Sequence, residues 1–290
     1  MKQDRRIIAL FVGSILILGI IIVGPLIYSI KLSFYAADSF IAPPYWVGLN
    51  NYITTLKSPL FWKALTNGLT IALSAISLQL VLGVAIAMVL HQKFAGQTIA
   101  RALAILPYFL PTVVACLIVQ WMLDPNYGLV KNMLSSLGIG MVDWSSSPAA
   151  AKGLIVFVSV WLWTPFVVTC VLAGLQNIPS QLYEAARVDG ASAWTQFWHI
   201  TVPGLRSVLI VVILLRGIWM FNKFDVIWLL TKGGPLNQTD TLPTLAYRKA
   251  FLEFNLGAGA AVATISFLLL AIVITIYLRL FPLEDAKQGR

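Results

Sequence analysis

The chain has 290 residues, of which 59% belong to the set AVILMFWYC and only 11% are charged, with 20 Lys and Arg against 11 Asp and Glu. An ordinary soluble domain carries about 25% charged residues and could not cover its surface with so few, and disorder needs the opposite balance of low hydrophobicity and high charge. The class is therefore integral membrane protein. The net charge of +9 is scattered, so it reads as loop and juxtamembrane charge that orients the chain, not as a nucleic-acid surface.

A helix needs about 20 apolar residues to cross the hydrocarbon core. Six stretches meet this, at 7–30, 65–90, 102–123, 153–177, 205–231 and 257–280. They are continuous rather than alternating, which predicts six transmembrane helices in an all-α membrane protein and not a barrel. The first stretch, after Lys2, Arg5 and Arg6, is longer than a signal-peptide core and closes without a small-x-small cleavage site, so it reads as an uncleaved helix. Pro25, Pro107, Pro111 and Pro165 fall inside spans, where proline marks kinks. With the N-terminus inside, the inner segments 1–6, 91–101, 178–204 and 281–290 hold eight basic residues in 54, against eight in 88 for the outer segments 31–64, 124–152 and 232–256. The denser side is cytoplasmic, and an even span count puts both termini there. Tyr28, Tyr45, Trp46, Trp62, Trp121 and Tyr277 near span ends fit an interfacial belt. The stretch 1–290 reads as a single transmembrane domain. Cys116 and Cys170 lie in apolar surroundings, and His91 and His199 have no clustered partners, so no metal site is expected.

Segment 178–204 differs from the other loops. Pro179 or Ser180 can start a helix that Gly190 stops in a left-handed cap, and Ser192 can start a second short helix that Pro203 ends. Glu184 complements the first helix's dipole, and Ala185 and Ala186 leave a shallow face beside Leu182 and Tyr183. Such a loop is either a connector packed on its own helices or a surface for a partner.

The string Glu184-Ala185-Ala186-x-x-Asp189-Gly190-Ala191, followed by Ile200-x-Val202-Pro203, resembles the EAA motif of binding-protein-dependent ABC transporter permeases, with Val202 where the family has Leu. Trp46–Tyr52, Leu106–Pro111, Trp121–Asn132 and Phe224–Pro235 resemble segments of the carbohydrate importers' permeases, in particular the larger maltose-type subunit. The resemblance implies a non-catalytic permease in the inner or plasma membrane of a prokaryote. It would form a heterodimer with a second permease subunit, pair with two ATPase subunits that bind ATP and Mg, and receive a sugar from an extracellular or periplasmic binding protein. Glu184, Ala185, Ala186, Asp189 and Gly190 would belong to the coupling helix in the ATPase cleft. No G-x-x-x-x-G-K-[ST] loop occurs, so no cofactor is expected on this chain itself.

Span five carries Arg216, Asn222, Lys223 and Asp225 in apolar surroundings. Intramembrane polar groups are costly and are the default functional candidates. At 100° per residue, Arg216, Trp219, Met220, Lys223 and Ile227 share one face, and Asp225 points away from Arg216. By the resemblance, Trp219, Met220 and Lys223 stand at sugar-pocket positions, as do Leu162, Trp163 and Phe166 of span four; the amide of Asn222 joins the candidate set. Trp163 replaces a glycine and Lys223 an amide side chain of the maltose subunit, and Lys223 motivates a sugar with a carboxylate or another acceptor-rich group. The alternatives are that these charges pair with a partner subunit or line water, and that Trp161 and Trp163 only pack helices. A self-contained secondary transporter is the competing function; it would need inverted repeats and an ion-coupling acid, and neither is apparent.

Overall fold

The computed structural model describes residues 2–38, 43–124, 126–138 and 144–282. The basic residues Lys287 and Arg290 lie outside them, and the side chains of Lys2, Arg5 and Arg6 are likewise not described. In chain order come α1 (Lys2–Leu32), a two-stranded antiparallel ribbon β1 (Tyr35–Ala36) and β2 (Tyr45–Trp46), α2 (Asn50–Lys57) and α3 (Pro59–His91). Then follow α4 (Gln97–Ile105), a 3-10 turn at Leu106–Phe109, α5 (Thr112–Met122), α6 (Leu129–Ser136), α7 (Pro148–Gln176) and α8 (Ser180–Val188). The chain continues with α9 (Ala193–Gln196), α10 (Val202–Phe221), α11 (Asp225–Thr231), α12 (Leu242–Tyr247) and α13 (Leu256–Leu280). Among the described residues five helices are long and apolar enough to cross a membrane, six when the bent pair α4–α5 counts as one.

The chain forms two compact units. The first, residues 1–62 with 242–269, explains the Trp46–Tyr52 string. Trp46 pairs with Tyr35 across the ribbon and stacks on Phe34, with ring centroids 5.7 Å apart. Asn51 turns back from α2 and donates from Nδ2 to the Ser33 and Tyr35 carbonyls, each at 2.9 Å. The Tyr52 and Ser33 hydroxyls share a short hydrogen bond. One side chain thus satisfies two carbonyls where the chain passes from α1 into the ribbon.

The second unit, residues 63–241 with 270–290, has two apolar cores. One gathers Ile71, Cys116, Val119, Ile155, Val158, Leu162, Met220 and Ile227; the other gathers Ala87, Val167, Val171, Leu175, Leu205 and Val212. Polar side chains tie helix ends. Gln120 donates from Nε2 to the last carbonyls of α11, Leu229 at 2.8 Å and Leu230 at 3.0 Å. Arg101, read from sequence as an orienting charge, donates from Nη2 to the Leu90 carbonyl near the end of α3 at 2.9 Å. After α5, Asp124 accepts from the Asn126 N–H at 2.8 Å, which holds its carboxyl below the usual range.

Two expected spans are not single straight helices. The stretch 102–123 bends by 94° between Phe109 and Thr112. Pro107 and Pro111 lack N–H donors, and Pro111 drives Leu110 into extended backbone at φ −74° and ψ 128°. The stretch 205–231 is interrupted at Asn222–Phe224. There the Asn222 side chain donates to the Ile218 carbonyl, competing with the helical ladder. Pro165, by contrast, leaves α7 unbroken, and that helix starts earlier than expected because Ser147 caps it and Pro148 occupies its first turn.

Candidate functional site

The break in span five places the charges. At positions 223 and 225 of a continuous helix, side chains would diverge by about 200°. With the helix interrupted, Lys223 Nζ reaches Asp225 Oδ1 at 3.0 Å. The same carboxylate oxygen accepts the Val226 N–H at 2.9 Å at the start of α11. Lys223 Nζ also lies 3.6 Å from the centroid of the Trp163 ring.

Arg216, about two turns earlier, is 2% exposed. Its Nε donates to Gln79 Oε1 at 2.8 Å. Gln79, fully buried, donates in turn from Nε2 to the Ser159 carbonyl at 2.9 Å, so its amide is locked in one orientation. The guanidinium carbon stands 5.6 Å from the Trp163 centroid and 5.7 Å from that of Trp219. Arg216 Nη2 is buried without a hydrogen-bond acceptor among the described residues.

Tyr108, Trp163, Arg216, Trp219, Met220 and Lys223 line a cavity of about 210 Å³. A more open one of about 410 Å³ adjoins it through Trp219 and Lys223 and includes Asn222 and Asp225. Of the expected face, Arg216, Trp219, Met220 and Lys223 line the cavity, with Trp163 among the lining residues, whereas Ile227, beyond the break, is buried in the apolar core. Phe166 stands behind the wall, packed edge-on against Trp219 at 5.2 Å. Leu162 is not on the wall: one residue before Trp163, and so turned about 100° around α7 from it, it is 2% exposed in the apolar core. Two residues that sequence reasoning passed over complete the site. Tyr108 arrives on the 3-10 turn of the bent span, and Gln79 was signalled only as an uncharged polar residue inside span two.

The 178–204 segment holds a second group. Glu184, Ala185, Asp189 and Gly190 are exposed and Ala186 is half-buried on α8, which buries none of its side chains. Its end is a Schellman motif: Gly190 N–H donates to the Arg187 carbonyl at 3.1 Å and Ala191 N–H to that of Ala186 at 2.8 Å. Gly190 has φ +76°, a conformation that penalises a side chain. Ser192 caps the next helix through the Thr195 N–H, as its residue type predicts. That helix does not end at Pro203. It widens into a π turn at Phe197–Thr201 and runs on as α10, since a helix's first positions tolerate the missing proline N–H and the wide turn re-spaces the carbonyls before it. Tyr183 Oη and Thr201 Oγ1, 3.0 Å apart, pin α8 to this turn.

A multi-pass helical membrane protein with a polar, aromatic-walled cavity on a broken span belongs, as a class, with membrane transport proteins. The chain is a member of the family described as binding-protein-dependent transport system inner membrane component, whose model matches residues 79–282. It is 35% identical over 260 residues to the trehalose/maltose transport system permease protein MalF of Thermococcus litoralis, covering 90% of this chain and 88% of that one. It is 32% identical over 284 residues to the sulfoquinovosyl glycerol transport system permease protein SmoG of Agrobacterium fabrum, covering 97% and 92%. Among solved structures, a bacterial ABC transporter that imports the acidic polysaccharide alginate matches with a TM-score of 0.85 at 22% identity, over 96% of each chain. The protein is thus a multi-pass inner-membrane permease subunit of an ABC importer, a subunit type without catalysis of its own.

Proposed function

We propose that this permease forms, with a second permease subunit, the pathway for a saccharide handed over by an extracellular binding protein. Both termini lie in the cytoplasm. Two ATPase subunits, which bind the ATP and Mg, dock on α8 through Glu184, Ala185, Ala186, Asp189 and Gly190. The chain itself needs no cofactor. The observation that carries the saccharide reading is the cavity lined by Tyr108, Trp163 and Trp219, whose aromatic rings give apolar contact area for a sugar ring beside the two cations. Around it Tyr108, Lys223 and, next door, Asn222 supply hydrogen-bonding groups for hydroxyls. The named relatives' substrates, trehalose or maltose and a sulfoquinovosyl glycoside, support the same class.

The test is reconstitution of the four-subunit complex with its binding protein in proteoliposomes. Sugar-stimulated ATP hydrolysis and uptake are expected together. Trp163→Ala should lower stimulation at least tenfold while the ATPases still co-purify. Glu184→Lys should do the reverse, abolishing ATPase co-purification while the chain still inserts. Uptake by this chain alone, without ATP, would defeat the reading.

A further inference from the structure

We infer that the saccharide carries an anionic group, a carboxylate or a sulfonate, and that Arg216 is the residue that holds it. This rests on the saccharide reading above and narrows it. Of the two cations on the cavity wall, Lys223 already has its counter-ion, Asp225 at 3.0 Å. It is therefore the poorer anchor for a substrate anion, although its residue type first suggested one. Arg216 has no carboxylate within ion-pair distance among the described residues; its hydrogen bond goes to the neutral amide of Gln79 at 2.8 Å. That amide cannot turn to offer more, because its other end is held by the Ser159 carbonyl at 2.9 Å.

Arg216 is 2% exposed, and its Nη2 has no acceptor among the described residues. A buried cation without a counter-charge weakens a fold, and the two indole rings near 5.6 Å and 5.7 Å offset only part of that. The chain therefore keeps a charge that its described residues leave unbalanced, on the wall of the cavity. A neutral hydroxyl would satisfy Nη2 and leave the charge; a carboxylate or sulfonate oxygen satisfies both. Recognition of oxyanions by the forked N–H donors of a guanidinium is the use to which arginine, more than lysine, is suited.

The experiment is carried out on the reconstituted four-subunit complex with its binding protein. A panel pairs acidic with neutral saccharides: digalacturonate and sulfoquinovosyl glycerol against maltose and trehalose. The readouts are stimulated ATP hydrolysis and direct binding of each saccharide to the solubilised complex. An acidic member is expected to be preferred at least tenfold. Arg216→Gln should remove that preference, and Arg216→Lys should retain part of it. If neutral members are preferred, the anion is wrong and the saccharide reading stands; if no saccharide binds or stimulates, the saccharide reading itself falls. Should Arg216→Gln fail to assemble, the acidic-to-neutral ratio of Arg216→Lys decides, and an unchanged ratio overturns the assignment. Loss of assembly with the second permease at an unchanged ratio would mean that an acid of that subunit pairs with Arg216, which also overturns it.

Discussion

Gln79 shows how much one side chain can settle. It is the sole hydrogen-bonding support of Arg216 Nε among the described residues, and hydrogen bonds to charged groups contribute about 1.5–3 kcal/mol. Gln79→Leu is expected to destabilise the solubilised complex by roughly 2 kcal/mol, seen as a lower thermal-unfolding midpoint. No change would mean that the guanidinium finds another acceptor. Gly190 matters through backbone alone. Placing a β-branched residue at φ +76° costs about 1–2 kcal/mol, so Gly190→Val should loosen the end of α8 and reduce ATPase co-purification, whereas Gly190→Asn should largely preserve it. Lys223 and Arg216 were both legible as intramembrane charges. Which of them is neutralised was not, since that depends on a break in the helix that brings residues two apart in sequence to 3.0 Å.

At the scale of elements, helix existence followed from apolar run length, and caps followed from residue type. Ser192 and Gly190 sit where their chemistry predicts, whereas the Ser147 cap, not read from the sequence, starts α7 ahead of the apolar run. Continuity was harder to read. Pro107 and Pro111 turn a stretch that reads as one span through 94°, whereas Pro165 leaves its helix running and Pro203 lies in the first turn of one. A proline's effect depends on which carbonyl it frees and what replaces the bond, and both are tertiary facts. Close helix approach is another. A Cβ on Gly83 of α3 would stand 2.6 Å from Val167 Cγ1 on α7, and that buried β-branched side chain has little rotamer freedom with which to yield. Gly83→Leu should therefore force the two helices apart, costing about 1–3 kcal/mol and lowering the yield of folded protein in detergent. A yield equal to the parent's would show that the contact relaxes freely.

For the whole molecule, the open question with the plainest answer is orientation. In a background with Cys116 and Cys170 replaced by alanine, a cysteine at position 93 should react with an impermeant thiol reagent only from the cytoplasmic side, and one at position 126 only from outside. The opposite pattern would invert the topology and detach α8 from the ATPase side. The wide apolar exposure of α1, whose membrane-length window Phe11–Leu32 has no buried side chain among the described residues, fits a helix that faces lipid or another subunit.

The sequence by itself determined the class, the spans and the family resemblance, because these rest on composition, run length and ordered strings of residues that survive without coordinates. Only the tertiary structure decided which residues form the cavity. It moved Leu162 into the core, added Tyr108 by bending a span, and tied Arg216 to Gln79 across 137 positions. Helical periodicity assigns a face to each side chain. What that face meets depends on where other helices bend and break, and those breaks are set by packing between residues distant in the chain.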